Sequence, residues 1–178
     1  MITFRPMLQG EFPAYLAYFI PDYAAEIAAN YRVAEADARV QAEREIAQDL
    51  PEGPQTAGQD LFCILDGTGK GDLIGYVWYR TDRYRRSVFI CDFCILPDHR
   101  GQGRGREALG TFESLMGRQG YREIRLRVAA DNARAQHVYA VGGFRVTGVN
   151  MSKHIGAETD IDGLTAEPAD TGPSQRRE

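Results

Sequence analysis

The stretch DHRGQGRGREALGTFESLM, residues 98–116, places glycine at every second position just before a helical pattern. Its glycine-rich part consists of Arg100, Gly101, Gln102, Gly103, Arg104 and Gly105. The first turn of a helix carries backbone N–H groups without partners and a dipole that favours an anion. Glycines leave those groups accessible, and arginines add charge-assisted hydrogen bonds. The stretch therefore predicts a phosphate-binding turn that leads into a helix over Gly103–Arg118.

Other interpretations of this glycine pattern stay open at this point. A glycine-rich turn can be a tight turn that binds nothing. A dinucleotide site is disfavoured, because its G-x-G-x-x-G pattern opens a parallel βαβ unit, whereas this turn follows a run of predicted hairpins. A second glycine-rich segment, GTGKGD at residues 67–72, lacks the P-loop spacing and has no helix after it, which predicts a hairpin loop.

Apolar periodicity along the chain predicts strands and helices in alternation. The predicted strands are Ile2–Pro6, Leu61–Asp66, Leu73–Arg80, Ser87–Leu96, Glu123–Ala129 and Phe144–Ile155, and the predicted helices are Glu11–Asn30, Ala34–Leu50, Gly103–Arg118 and Ala133–Gly142. The order β-α-α-β-β-β-α-β-α-β predicts an α/β class with a mixed sheet, in which an antiparallel meander precedes a β-α-β segment. Pro21 is expected to break or kink the first helix, and Val40 and Ile46 are expected to face inward from the second.

Composition indicates one globular domain with a tail. The chain has 178 residues, 43% of them apolar, and a net charge of −4, so nucleic-acid binding is disfavoured because phosphate backbones would repel it. No apolar run approaches the ~20 residues of a membrane span, and the N-terminal segment carries charges where an export signal is apolar. We therefore expect a cytoplasmic protein without a membrane partner, with a folded domain over residues 1–155 and a disordered tail over residues 156–178.

Cys91 and Cys94 form a C-x-x-C spacing inside the fourth predicted strand, and Cys63 lies in the second. Such a spacing is compatible with redox chemistry or with half a zinc site. Residues three apart on a strand point to opposite faces, however, and no second Cys or His pair has metal spacing. The sequence therefore predicts reduced core cysteines and no bound metal.

Two motifs make the chain resemble the GCN5-related N-acetyltransferases (GNAT). RGQGRG, residues 100–105, is similar to the family's Q/R-x-x-G-x-G/A signature and follows a strand as that signature does. DNARAQHVYAVGGFRVTG, residues 131–148, resembles the second signature, an Asn before a helix, a Tyr seven residues later and then Gly-Phe. The element order agrees, and the resemblance covers Ile2–Ile155. YAAEIA, LPEGPQTAG and GYVW further resemble a bacterial branch of uncharacterised members.

The resemblance implies a GNAT fold in which acetyl-CoA lies in a V-shaped gap between the fourth and fifth strands. Ile95 on the fourth strand would pair with the pantetheine arm, and residues 100–105 would donate backbone N–H groups to the pyrophosphate. Asn132 would touch the pantetheine, and Tyr139 would stand near the sulfur and protonate the leaving thiolate. The implied reaction is acetyl transfer to a primary amine of a small molecule or peptide by direct attack, without a metal.

Each of these side chains also has a structural interpretation. Tyr139 shares a helix face with Ala135 and Val138, which is typical of core packing, whereas its spacing of seven from Asn132 favours the catalytic role. Asn132 is also a good helix N-cap, and the two roles are compatible. Arg104 stands where many family members have an apolar residue, so its side chain either reaches a phosphate of CoA or points to water.

The general base is the least determined element of the site. Asp92 is the carboxylate on the fourth strand and is our candidate, but strand parity places it opposite Ile95 and leaves open which face carries the acceptor. Glu26 and Tyr23 on the first helix are candidates for the border of the acceptor pocket. The alternatives for function are a same-fold transferase of another acyl-CoA and a CoA-binding regulatory module without catalysis. A homodimer is also compatible with the family.

Overall fold

The structure, a computed structural model, describes residues 1–67, 71–151 and 153. Its strands are β1 (Ile2–Pro6), β2 (Asp60–Asp66), β3 (Asp72–Asp82), β4 (Ser87–Ile95) and β5 (Glu123–Leu126), and its helices are α1 (Phe12–Tyr31), α2 (Glu35–Asp49), α3 (Arg104–Arg118) and α4 (Ala133–Val141). These elements all lie in one compact unit, Met1–Arg145. The described residues of the second unit, 146–151 and 153, carry neither helix nor strand.

The strands of the described residues form one mixed sheet in the order β1-β2-β3-β4-β5. Strands β1 to β4 pair antiparallel, whereas β5 runs parallel to β4 because α3 carries the chain back along the sheet. This architecture confirms the predicted mixed α/β class. Strands β2 and β3, on either side of the segment GTGKGD, pair antiparallel, as a hairpin requires. Residues 68–70 of that segment lie outside the described residues.

Each face of the sheet has its own apolar core. The α3-side core contains Ile64, Ile74, Val77, Val88, Ile90, Leu109, Phe112 and Met116. The α1-side core contains Tyr15, Phe19, Ile46, Leu50, Leu61, Cys63, Tyr76, Trp78 and Cys94. Because successive residues of a strand point to opposite faces, the same strands supply both cores. The central strands β3 and β4 are therefore held by packing from both sides.

Pro21 lies inside α1 and does not end it, contrary to the predicted break, because the helix continues to Tyr31. The proline removes one main-chain hydrogen bond. Buried side chains on both sides of it, Tyr15, Phe19 and Ile27, pack against the rest of the protein. This packing holds the helix together across the proline.

The prediction that Val40 faces inward is wrong, because its side chain is 56% exposed. The inward positions of α2 are Ala38, Ala42 and Ile46, which recur at a spacing of four. Small alanines allow α2 to lie close to α1, and the predicted inward position of Ile46 is confirmed.

The closing strand predicted over Phe144–Ile155 is absent from the part that the structure describes, residues 144–151 and 153. Val146, Val149 and Met151 are 83%, 76% and 93% exposed. The apolar side chains after Phe144 are thus exposed to solvent and do not pack as those of a strand would. The tail predicted over residues 156–178, and with it the domain boundary at residue 155, lies outside the described residues.

A β-bulge at Cys91 divides β4 into two halves. The register of β4 against β3 shifts between Ile90 and Asp92, which leaves one extra residue on β4. An extra residue changes the side-chain alternation beyond it. As a result, Ile95 contacts the α3-side core like Ile90, whereas Asp92 and Cys94 lie on the α1 side.

Because of the bulge, the prediction that Cys91 and Cys94 point to opposite faces of the sheet is wrong. Cys91 and Cys94 both contact the α1-side core instead of pointing to opposite faces. None of the three cysteines, Cys63 included, forms a disulfide. Within the described ranges, no three His, Cys, Asp or Glu side chains are grouped to hold a metal, and no helix has both the length and the apolar character needed to cross a bilayer.

Candidate active site

The predicted turn forms an open N-terminus of α3. Gly101 and Gly103 adopt φ values of +82° and +75°, a left-handed conformation that glycine adopts without strain. No atom lies within 4 Å of the position that a Cβ would occupy at either glycine. Among the described residues, no hydrogen bond uses the backbone N–H groups of residues 101–105. These donors are therefore available to an anion at the helix N-terminus.

The side chain of Arg104 does not simply point to water, while its predicted contact with a phosphate of CoA stays a prediction. Its guanidinium forms an ion pair with Asp66 at the end of β2, and its Nε donates to Gln102 Oε1 at 3.2 Å. The hydrogen bond from Arg104 lowers the pKa of Asp66, which also accepts from the amino group of Met1 at 3.3 Å. Arg104 thus connects the turn to the sheet through its side chain.

Arg100 and Gly105 bring the turn next to the end of β4. The Nε of Arg100 donates to the carbonyl oxygen of Ile95 at 2.6 Å. A Cβ at Gly105 would lie 3.8 Å from Ile95 Cγ1. The N–H donors of the turn and the main chain of Ile95 are therefore neighbours on one surface.

Strands β4 and β5 separate halfway along β4. They pair from Ser87 with Glu123 to Ile90 with Leu126, and β4 then continues to Ile95 beyond the end of β5. β5 is thus shorter than predicted, and its early end leaves the second half of β4 without a partner on that side among the described residues. The resemblance implies a V-shaped gap between the two strands, and the point where their pairing ends is where such a gap would open.

The main chain of β4 presents hydrogen-bonding groups to this gap. The N–H of Leu96 bonds to the carbonyl oxygen of Ile74 on β3 at 2.8 Å. Main-chain groups of an antiparallel strand alternate between its two sides. Those of Ile95 and Phe93 therefore point away from β3. The N–H of Phe93 bonds to the carboxylate of Asp92, so the main chain of Ile95 is the part that offers its N–H to a ligand. A strand edge of this kind can pair with an extended, amide-bearing ligand as it would with another strand.

Asp92 is half-buried on the α1 side of the gap, just after the bulge. Its Oδ2 accepts a hydrogen bond from the Tyr15 hydroxyl at 3.2 Å. Burial raises the pKa of Asp92 to about 7; the charges of Asp22 and Glu26 act in the same direction, while hydrogen bonds from Tyr15 and the N–H of Phe93 oppose it. A carboxyl with this pKa can both accept and release a proton at neutral pH.

Tyr139 of α4 packs against the α3-side core, close enough to Asp92 and Cys94 of β4 for their charges to act on its hydroxyl. Its ring lies 5.5 Å from the ring of Phe144 and packs against that core. Burial, together with the charges that Asp92 and Cys94 can carry, raises the pKa of its hydroxyl to about 12. The hydroxyl forms no hydrogen bond within the described residues. A packed ring and an available hydroxyl are thus compatible in one side chain.

Asn132 caps α4, as predicted. Its Oδ1 accepts a hydrogen bond from the N–H of Ala135 at 3.0 Å. The side chain of Gln136 donates to the carbonyl oxygens of Ala129 and Ala130 at 2.9 Å each. These bonds fix the segment between β5 and α4, while the side-chain amide nitrogen of Asn132 has no partner among the described residues.

The two further candidates on α1 differ in their surroundings. The hydroxyl of Tyr23 donates to Glu45 of α2, so this side chain serves the packing of the two helices. Glu26 is half-buried, and burial raises its pKa against the opposing charge of Arg127. Arg127 in turn donates to the Tyr31 hydroxyl at 3.3 Å. Of the two, Glu26 is the residue that contributes charge near Asp92.

A shallow groove of about 530 Å³ runs along the exposed face of α3. It is lined by Gly103, Arg106, Glu107, Gly110, Thr111 and Ser114. The lining includes one glycine of the turn but neither Asp92 nor Tyr139. Asp92 and Tyr139, the two groups with the acid–base properties described above, therefore lie outside this groove.

Comparison with known proteins shows the family of this chain. The model of the acetyltransferase (GNAT) family matches residues 21–144. The chain belongs to the GNAT acetyltransferase family. The matched span of this GNAT chain includes the glycine turn, the β4–β5 gap and Tyr139.

Relatives of this GNAT chain are similar over most of its length. The N-acetyltransferase YycN of Bacillus subtilis is 29% identical over 156 residues, which cover 86% of this chain and 99% of the relative. The crystal structure of YycN has a TM-score of 0.81 at 28% identity and covers 88% of this chain and 100% of its own. The spermidine N-acetyltransferase of Vibrio cholerae, solved with CoA and spermine, shares the fold, with a TM-score of 0.59 at 19% identity and coverage of 83% and 82%.

The donor groups of this GNAT chain fit coenzyme A in two places. CoA carries a pyrophosphate, and the bare N–H groups of residues 101–105 suit such an anion. CoA also carries an extended arm with amide groups, and the β4 edge at Ile95 can pair with amides. The arrangement thus matches two chemically different parts of one molecule.

Two tyrosines of α1 lie beside the candidate base and were not among the site residues predicted from the sequence. Tyr15 donates to Asp92, and the hydroxyl of Tyr18 interacts with Cys94 and with the charge of Asp92. In the sequence, Tyr15 was one of several aromatic residues at helical spacing. Its spacing from Tyr18 and Glu26 places all three on one helix face, but nothing local indicates that this face meets β4 after the bulge.

Proposed function

We propose that this GNAT chain transfers acetyl from acetyl-CoA to a primary amine by direct attack in a ternary complex. The observation that supports the proposal is the electrostatic interaction of Tyr139, in the α3-side core, with Asp92 on the α1 side of β4. A proton acceptor and a hydrogen-bond donor that interact in this way suit an acyl transfer in which an amine loses a proton and a thiolate departs.

On the CoA side, the proposed contacts use main-chain groups. Residues 101–105 donate N–H groups to the pyrophosphate, and Ile95 pairs with the pantetheine arm. Arg100 then exchanges its bond to the Ile95 carbonyl for one to a phosphate, because a charged acceptor is the stronger partner. Asn132 offers its side-chain amide nitrogen while its Oδ1 keeps the helix cap. When bound, acetyl-CoA supplies the activated acetyl group.

On the acceptor side, Asp92 indicates that the amine approaches from the α1 face. The amine forms the new C–N bond, the C–S bond breaks, and Asp92 takes the proton that the nitrogen releases. An N–H of the unpaired β4 edge stabilises the oxyanion. Tyr139 donates its O–H to the departing sulfur, since a hydroxyl with a pKa of about 12 stays protonated at neutral pH.

A covalent route through a cysteine is disfavoured by the surroundings of Cys94. Burial, followed by the charge of Asp92, raises the pKa of this thiol far above its ordinary range. A thiol that stays protonated is a poor nucleophile. Direct attack of the amine on acetyl-CoA therefore remains the favoured route, because it needs no reactive thiol on the protein.

We place the reaction in the cytoplasm and take small-molecule and peptide amines as the acceptor classes.

The proposal is tested by measuring CoA thiol release with a panel of amines. The panel contains polyamines, amino acids, amino sugars and peptides with free N-termini, and each product is examined for an added acetyl group by mass spectrometry. We expect at least one class to give release well above hydrolysis, with the Asp92→Asn variant as the background. Acetyl-CoA binding without acetylation of any amine would favour a regulatory module instead.

Tyr139→Phe is expected to lower kcat roughly 10- to 100-fold while the Kd for acetyl-CoA stays nearly the same. The variant removes the hydroxyl and keeps the ring that packs on Phe144. Steady-state kinetics and calorimetry measure the two quantities. Tyr79→Phe is the matched control, because Tyr79 is a buried tyrosine that packs on Phe112, away from the gap. Equal kcat for Tyr139→Phe and wild type would show that the Tyr139 hydroxyl takes no part in catalysis and that the side chain only packs.

A further inference from the structure

The position of Tyr15 is unusually constrained for a side chain with a polar group. Tyr15 is 0% exposed and lies within the α1-side core. Four aromatic rings surround it at centroid distances of 5.3 to 6.4 Å: Phe12, Tyr18, Phe19 and Tyr76. A ring held on several sides keeps its hydroxyl in one place.

A phenylalanine would fill most of this space without the cost of burying a hydroxyl. A buried polar group costs about 1–3 kcal/mol unless it is hydrogen-bonded. The hydroxyl of Tyr15 has one such bond among the described residues, to Asp92 Oδ2 at 3.2 Å. The oxygen of Tyr15 is therefore directed at the candidate base.

Asp92 needs an anchor of this kind because of its place on β4. It follows the bulge at Cys91, in the half of the strand that β5 does not accompany. Strand pairing thus holds this part of β4 from the β3 side only. The one side-chain hydrogen bond to Asp92 in the described part of the chain comes from Tyr15, on a helix that is packed against the sheet.

We propose that Tyr15 is a positioning residue for the proposed transfer: its hydroxyl holds Oδ2 of Asp92 and stabilises the ionised carboxylate, which leaves the rest of the carboxylate to take the proton of the amine. This inference rests on the proposed function, since it assigns a partner to the base of that reaction. Tyr15 itself touches neither the acceptor nor acetyl-CoA.

A donor to the carboxylate favours its charged form. The hydrogen bond from Tyr15 therefore lowers the pKa of Asp92, against the effect of burial, which raises that pKa to about 7. The other ionisable groups facing Asp92 are Tyr18, Asp22 and Glu26 on α1, Cys94 on β4 and Tyr139 on α4. All of them are neutral or negative, so none replaces Tyr15 when its hydroxyl is removed.

Tyr15→Phe is expected to shift the acidic limb of the kcat/KM–pH profile to higher pH, by about one pH unit. The variant therefore loses roughly 10-fold of kcat/KM near pH 6 and stays within about 3-fold of wild type near pH 9, where Asp92 is ionised in both. The Kd for acetyl-CoA does not change. A loss of equal size at every pH would show a merely structural role and would overturn the inference.

Tyr76→Phe is the matched control. Tyr76 belongs to the same aromatic cluster and lies 5.3 Å from the ring of Tyr15. The causes that raise the pKa of its hydroxyl do not include Asp92. The control should keep the wild-type acidic limb. A limb that moved equally in both variants would mean that loosened packing, and not the Tyr15 hydroxyl, sets the ionisation of Asp92.

A second readout needs no acceptor. In protein labelled with ¹³C at aspartate carboxyls, the Asp92 signal is assigned by its loss in Asp92→Asn and is titrated by NMR in wild type and Tyr15→Phe. The titration midpoint of Asp92 should rise in the variant, and an unchanged midpoint overturns the inference. If wild type acetylates no amine, the proposed function fails, and this titration still decides the role of Tyr15.

Should Tyr15→Phe fail to fold, 3-fluorotyrosine at position 15 tests the same bond. Its more acidic hydroxyl is a stronger donor in a ring of nearly the same shape, so the Asp92 titration should move in the opposite direction, to lower pH. No movement would overturn the inference.

Discussion

Gly103→Asp is expected to weaken acetyl-CoA binding roughly 100-fold, because it places a carboxylate where the N–H groups of residues 101–105 meet the pyrophosphate. The position has room for the side chain, since no atom lies within 4 Å of a Cβ there. The backbone φ of +75° is one that aspartate tolerates better than most residues. Loss of binding in this variant would therefore come mainly from charge. Calorimetric titration measures it.

Two control variants separate charge from shape. Gly103→Asn has nearly the same shape and the same tolerance of a left-handed backbone, so it should weaken binding far less than the aspartate does. Gly110→Asp adds the same charge to the exposed face of α3, about two turns from the helix N-terminus, and should leave the Kd within a few-fold of wild type. Equal loss in Gly103→Asn and Gly103→Asp would contradict the anion assignment.

Asp92→Asn is expected to lower kcat by about 10²- to 10⁴-fold, the range typical of a lost general base. Asparagine keeps the size of the side chain and an oxygen that can accept from Tyr15, so the packing at the bulge should persist. The Kd for acetyl-CoA should stay near the wild-type value, because the proposed CoA contacts lie on residues 101–105 and Ile95. Turnover within about 3-fold of wild type would remove Asp92 from the mechanism.

The same substitution should make the protein more stable at neutral and alkaline pH. The pKa of Asp92 is raised from its ordinary 3.8 to about 7 in the folded protein, so folding favours the protonated form. The corresponding stability is complete below about pH 4 and is lost as the pH rises through 7. Asparagine cannot ionise, and its advantage over wild type should grow to roughly 2 kcal/mol by pH 8, after discounting for partial exposure.

Chemical denaturation of wild type and Asp92→Asn at pH 5 and pH 8 measures this difference. The expected result is a larger gain in the free energy of unfolding at pH 8 than at pH 5. A gain that is the same at both pH values would mean that the carboxyl titrates alike in the folded and unfolded chain. A gain in stability together with a loss of turnover is the pattern that a functional buried carboxylate should give.

The glycine turn and the caps could be predicted from the sequence because they depend on a few neighbouring residues. Gly103 precedes α3 and Gly101 takes a positive φ, as bare backbone at a helix mouth requires. Asn132 caps α4 through the N–H of Ala135, three residues along the chain. The order of strands and helices as far as α4 was predictable for the same reason, since each has its own apolar period. The predicted closing strand after α4 is absent from the described residues.

The partners of the candidate base could not be predicted, because they depend on how distant segments meet. Tyr15 and Asp92 are separated by 77 positions, and their contact follows from a bulge that only the pairing of β4 with β3 defines. Arg104 and Asp66, 38 positions apart, meet for a similar reason. A bulge of one residue reverses the facing of everything after it, which no local pattern around Cys91 indicates.

The most direct test of the central claim is a calorimetric titration of the full chain with acetyl-CoA, beside CoA and ATP. The account predicts binding of acetyl-CoA and CoA with Kd values on the order of micromolar. ATP should bind at least about 100-fold more weakly, because it has phosphates for the turn at Gly103 but no arm for the β4 edge at Ile95. Absence of CoA binding, or ATP binding as tight as that of CoA, would contradict the account.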